Sequence, residues 1–220
     1  MVTVLLAPVF VILITELIFS DSAHPRSRFY QAGKTTGWLC RSYGYGFVFN
    51  LVIVEVMKGI TGSPRPTFFY ICEPRINGRF CNGTDFVPNF ECTNKQFSTW
   101  YQTDSYHSFP SGHTSFAVYC GFFCAWYLQK RAFNWRSRTI FLVPLLQMVL
   151  LTYSAYCSLS RITDHRHHWW DVAVGAFIGI ICVLYTVLVL CKNFAFNKSN
   201  DISSEGPQTK TLLYDRSELT

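Results

Sequence analysis

VAVGAFIGIICVLYTVLVLC, residues 172–191, runs for 20 residues without a charged side chain. A bilayer's hydrocarbon core takes about 20 helical residues to cross, so this stretch reads as a membrane helix. Working outward, Thr114–Gln129 and Thr139–Cys157 are blocks of the same kind. Two further blocks are less pure: Val2–Phe19 carries Glu16, and Tyr43–Ile60 carries Glu55 and Lys58 near its end. The expected fold is an all-α polytopic membrane helix bundle with five transmembrane helices. The composition agrees, because half of the 220 residues are apolar and only 15% are charged, against about 25% charged in soluble domains.

The formal charge of +6 does not point to nucleic acid, because the basic residues are distributed rather than striped. They mark sides of a membrane instead. Arg26, Arg28, Lys34 and Arg41 fall between the first two spans, Lys130, Arg131, Arg136 and Arg138 between the third and fourth, and Lys192 after the fifth. Lys and Arg accumulate in cytoplasmic connections. That places Met1, the long loop 61–109 and the short loop Ser158–His168 on the outer or lumenal face. The first block lacks a positive start, and Phe19-Ser-Asp-Ser-Ala23 is a poor cleavage site, so it is expected to be a retained helix rather than a signal peptide.

Residues 1–196 are thus expected to form a membrane-embedded domain, and 197–220, polar and rich in Ser and Thr, a disordered cytoplasmic tail. Of nine cysteines, those inside spans read as small buried hydrophobes. Cys72, Cys81 and Cys92 share the outer loop, where one disulfide would leave one thiol over, and the spacing does not choose the pair. The same loop holds the sequon Asn82-Gly83-Thr84, a glycosylation acceptor on the lumenal side. A second sequon, Asn197-Lys198-Ser199, lies in the tail and is expected to stay bare.

Ionisable residues are expensive in a membrane and mark function by default. Three clusters stand at span ends, and the side assignment delivers all three to the outer face: Lys58-GITGSP-Arg65-Pro66, Pro110-Ser111-Gly112-His113, and Ser160-Arg161-ITDHR-His167-HWW-Asp171. If the last helix has begun by His167, that residue and Asp171 stand four apart on one face. The carboxylate then holds one ring N–H and leaves the other nitrogen basic. Trp169 and Trp170 read as an interfacial aromatic belt. Zinc bound by His165, His167 and His168 fits poorly, since consecutive histidines point different ways on a helix. In the second cluster Pro110 suits a first helical turn and Gly112 admits close backbone approach. The free N–H groups of such a helix start form an anion site, to which Ser111 adds a hydroxyl. Lys58 and Arg65 supply fixed positive charge.

Together the clusters match KxxxxxxRP, PSGH and SRxxxxxHxxxD without a substitution. The chain therefore resembles the type 2 phosphatidic acid phosphatase superfamily, and in particular the integral-membrane phospholipid phosphatases, over about residues 2–191. The resemblance implies hydrolysis of phosphomonoesters such as phosphatidate, lysophosphatidate, ceramide 1-phosphate and sphingosine 1-phosphate, with no metal and no cofactor. It implies that His167 attacks phosphorus and becomes a phosphohistidine, oriented by Asp171, while His113 protonates the leaving alkoxide and later activates water. Lys58, Arg65, Ser111, Gly112 and Arg161 would hold the phosphoryl oxygens. The expected setting is the plasma membrane, with an extracellular or lumenal site, a cytoplasmic C-terminus and a lipid phosphate as partner. Homo-oligomer formation is left open. The other readings are a non-catalytic lipid-phosphate binder or transporter, and a phosphatase for another phosphate ester. Members of the family usually carry six helices, so a chain showing five is expected to lack the first, as a shortened form or a fragment.

Overall fold

The computed structural model describes residues 2–19, 25–76, 78–80, 89–134 and 139–197. Cys81, Asn82, Arg136, Arg138 and the tail from residue 198 lie outside the described residues. Five long helices account for the five expected spans: α1 (Val2–Phe19), α2 (Pro25–Thr61), α5 (Gly112–Arg131), α6 (Thr139–Thr163) and α7 (Trp169–Tyr185). A π-turn, Thr186–Leu190, continues α7, and the chain then kinks through Lys192, Asn193 and Phe194, all at positive φ, in the segment Lys192–Asn197. The connection from α2 to α5 carries two short helices, α3 (Phe68–Cys72) and α4 (Thr99–Asp104). It also carries a small antiparallel sheet, ordered β2 (Arg79–Phe80), β1 (Pro74–Ile76), β3 (Glu91–Cys92). A disulfide joins Cys72 to Cys92 and so resolves the pairing left open by spacing.

α2 extends well beyond the expected span Tyr43–Ile60, to 37 residues, or about 55 Å. Pro25 suits the first helical position, and no further proline interrupts the chain until Pro64. Arg26, Arg28, Lys34 and Arg41 therefore stand on the helix rather than in a connecting loop. Gly62, at φ 54°, ends it by returning its N–H to the Lys58 carbonyl at 3.2 Å.

α2, α6 and α7 with its π-turn are long and apolar enough to cross a membrane. α1 is a shorter apolar helix, and α5 is less apolar because it occupies the bundle centre. α5 packs on α6, α7, α1 and α2. It is buried along most of its length and carries polar groups that find partners inside the bundle. Ser115 exchanges hydrogen bonds with Asn50, whose amide reaches the Ser115 carbonyl at 3.4 Å while Ser115 donates to Asn50 Oδ1 at 2.7 Å. Tyr119 donates to the Tyr43 carbonyl at 2.8 Å. Tyr127 donates to Glu16 at 2.7 Å, and Arg131 grips the same carboxylate with two bonds of 3.0 Å. Outward, α6 presents Phe141, Leu145, Met148 and Tyr156 to its surroundings, an apolar face suited to lipid.

Two glycines set the distance between α5 and α7. A side chain on Gly175 would overlap the Ser111 carbonyl, and one on Gly179 would strike the Ser115 carbonyl. The spacing GxxxG thus lets two backbones meet, as small residues do at membrane helix interfaces.

Candidate active site

The three clusters converge at one end of the bundle. α2 ends with Lys58 one turn before its cap, and the Lys58 ammonium lies 3.7 Å from where a Cβ on Gly112 would stand. Lys58 also pairs with Glu55 at 3.0 Å. Beyond α2 the chain turns so that Arg65 N–H donates to the Ser105 carbonyl at 2.8 Å. The Arg65 guanidinium, 10% exposed, reaches Asp104 of α4 at 2.9 Å. Burial lowers the Arg65 pKa, and Asp104 opposes that shift.

Ser111 is the N-cap of α5 and fully buried. Pro110 therefore precedes the cap instead of occupying the first turn, because α5 starts only at Gly112. Thr114 donates its hydroxyl to Ser111 Oγ at 3.0 Å, which leaves the Ser111 proton free to point at a ligand. The Ser111 N–H donates to the Asp171 carbonyl at 3.0 Å, binding the second cluster to the third. His113 is exposed as a residue while its neighbours on α5 are buried, yet desolvation of its ring, followed by Arg161, His167 and Lys58, lowers its pKa to about 4; a phosphate dianion bound among those cations acts in the opposite direction.

The third cluster spans the end of α6 and the start of α7. Arg161 sits in the last turn of α6, paired with Asp164 at 3.0 Å, and its carbonyl receives the N–H of His167 at 3.2 Å. α7 begins at Trp169 with His168 as N-cap, so His167 stands in the connecting turn rather than on the helix. The turn folds back and keeps the two side chains close, but without the direct hydrogen bond that was expected: His167 Nδ1 lies 3.7 Å from Asp171 Oδ2. Asp171 is fully buried and accepts from the His168 N–H at 2.9 Å. His165, His167 and His168 do not converge on a common point. His168 stacks on Trp170 with centroids 4.5 Å apart, and His165 lies in the turn with φ 52°.

Two side chains outside the motifs enter the site. Ser108, fully buried, donates to Asp171 Oδ2 at 2.6 Å and lies 3.4 Å from His167 Nδ1. Asp104 holds Arg65. Both belong to the long connection, where nothing in periodicity or spacing singles out one serine or aspartate among many. Chemically the site combines three cations, a helix start with a free hydroxyl, and an imidazole held near a carboxylate. Arg65 Nε and Arg161 Nε are buried without a hydrogen-bond partner among the described residues. Buried donors left unmet are costly, and a multivalent anion would satisfy them.

Residues 39–195 match the PAP2 superfamily. The chain belongs to that superfamily. Within the PAP2 superfamily it is similar to rat phospholipid phosphatase 1, 33% identical over 157 residues, which cover 71% of this chain and 54% of the relative. Mouse phospholipid phosphatase 2 is 30% identical over 171 residues, covering 78% and 59%. A Caenorhabditis elegans phospholipid phosphatase homolog is 32% identical over 179 residues, covering 79% and 49%. The chain thus spans about half the length of the curated relatives it matches. No solved structure matches it at a significant level.

Proposed function

We propose that this chain is a membrane lipid phosphate phosphatase working through a phosphohistidine on the outer or lumenal face. The observation that carries the reading is the convergence of Lys58, Arg65, Arg161 and the Ser111–Gly112 cradle on the His167–Asp171 pair. The phosphatase names of the relatives support the same chemistry.

Phosphoryl transfer depends mostly on positioning and charge stabilisation. Lys58, Arg65 and Arg161 neutralise the phosphoryl oxygens, and Ser111 with the first N–H groups of α5 supplies oriented dipoles. His167 Nε2 uses its lone pair to form an N–P bond as the ester P–O bond breaks. Asp171 offsets the positive charge that appears on the ring. His113 gives its proton to the departing alkoxide, and then takes one from the water that cleaves the N–P bond and releases phosphate. One histidine thereby serves both half-reactions.

A phosphomonoester on an acyl or sphingoid chain is the substrate class that suits a site at helix ends, where a headgroup is reached while the tail stays in hydrocarbon. Phosphatidate, lysophosphatidate, ceramide 1-phosphate and sphingosine 1-phosphate share this form. The outer or lumenal placement is supported by the side distribution of Lys and Arg, and by the Cys72–Cys92 disulfide, since such bonds persist in oxidising compartments. The plasma membrane is the setting we assign.

The test uses intact cells expressing the chain, offered labelled lysophosphatidate with EDTA present. Phosphate release that survives EDTA and vanishes in His167→Ala is expected. A surface-expressed chain that binds the lipid yet releases no phosphate would refute the catalytic reading.

A further inference from the structure

We propose that Ser108 is a positioning residue for His167: its hydroxyl bridges His167 and Asp171 and selects the imidazole tautomer that leaves Nε2 unprotonated. The inference rests on the phosphatase reading and deepens it.

The direct His167–Asp171 separation of 3.7 Å is too long for a hydrogen bond. The Ser108 hydroxyl fills the gap, 3.4 Å from Nδ1 and 2.6 Å from Oδ2. A carboxylate only accepts, so the single Ser108 proton is committed to Asp171. Ser108 Oγ then faces Nδ1 as an acceptor, which requires the ring proton on Nδ1. Since the hydrogen bond at one ring nitrogen decides the state of the other, Nε2 is left with a free lone pair. Without the hydroxyl, an unconstrained neutral imidazole prefers its proton on Nε2, the atom that must attack.

Burial shields this bridge, for Ser108 is fully buried and His167 only 4% exposed. The backbone holds it as well: Ser108 N–H donates to the Ser63 carbonyl at 2.8 Å, in the turn between Lys58 and Arg65. Ser108 therefore touches the first and third clusters while lying just before the second. Asp171 keeps its bond from the His168 N–H without Ser108, so the hydroxyl's distinct contribution is to the ring.

The full chain in mild detergent, as wild type, Ser108→Ala, Ser108→Thr and His167→Ala, tests this with two readouts. One is steady-state phosphate release from lysophosphatidate, and the other is the 15N imidazole signals of His167, assigned by their loss in His167→Ala. Ser108→Ala should lower kcat about 10- to 100-fold, as loss of an orienting partner does, with KM little changed and the proton moved to Nε2. Ser108→Thr, which keeps the hydroxyl, should retain the Nδ1–H signal. Gel filtration confirms that each variant is folded. A Ser108→Ala protein with the wild-type tautomer overturns the proposal whatever its rate. A wild type that releases no phosphate, with the tautomer still lost in Ser108→Ala, would refute the phosphatase reading and support the bridge.

Discussion

Gly175→Ala should disable the site without removing any group that meets phosphate. The added methyl would overlap the Ser111 carbonyl oxygen and stand 3.3 Å from the Ser111 carbonyl carbon. Ordinary carbon contacts lie at about 3.5–4.0 Å, so relief requires α7 and the start of α5 to part by about 1 Å. At that spacing the Ser111 N–H to Asp171 carbonyl bond, now 3.0 Å, is broken. A misplacement of about 1 Å costs about 100-fold in rate, and overpacking of this kind costs about 1–3 kcal/mol of stability. Phosphate release and thermal unfolding of the detergent-purified protein read the two effects. Gly37→Ala is the control, because a Cβ there meets nothing within 4 Å. It should leave the rate unchanged and, in a helix, raise stability by about 0.4–1 kcal/mol. A Gly175→Ala enzyme as active as Gly37→Ala would refute the claim that the α5–α7 approach fixes the cradle against the nucleophile.

Glu16→Ala should lower the unfolding free energy by about 3 kcal/mol, the usual result of stranding one partner of a buried ion pair, here Arg131 along with the Tyr127 hydroxyl; thermal melts check it. His113→Asn should accumulate a phosphoenzyme when the substrate carries an aryl leaving group that departs without a proton, visible as acid-labile label on the protein. Lys58→Ala and Arg161→Ala should each weaken k cat/KM for lysophosphatidate by about 100-fold, measured against unchanged expression. Cys92→Ser should free the segment before α4, seen as faster proteolysis between Cys72 and Thr99, and cost about 2–4 kcal/mol in that region.

The apolar blocks made the five long helices legible, since a run such as 172–191 admits few other structures, and the site was legible because ionisable residues at helix ends stand out against lipid-facing sequence. The length of α2 was not, because nothing apolar distinguishes residues 25–42: their helix is carried by the absence of a breaker. The start of α7 was legible only conditionally, because His167 and Asp171 at a spacing of four suit a helix and a folded-back turn alike; the helix begins at Trp169. Ser108 and Asp104 were invisible for another reason. Their meaning comes from where a long connection returns, and Arg65 meeting Asp104 across 39 positions is a tertiary fact. The Cys72–Cys92 pairing belongs to the same class.

The contacts that hold α5 have a consequence for handling the protein. Lipid tails are as apolar as the side chains they surround, so burial gives little drive for helices to associate in a bilayer. In this bundle the cohesion is directional: Asn50 with Ser115, Tyr119 with the Tyr43 carbonyl, Ser154 with the Ala117 carbonyl, and Glu16 with Arg131 and Tyr127. Each of these bonds is internal to the protein and owes nothing to the chemistry of the molecules outside. Solubilisation in a mild detergent therefore replaces the outer solvent of α6 and α2 while leaving the internal fastenings untouched.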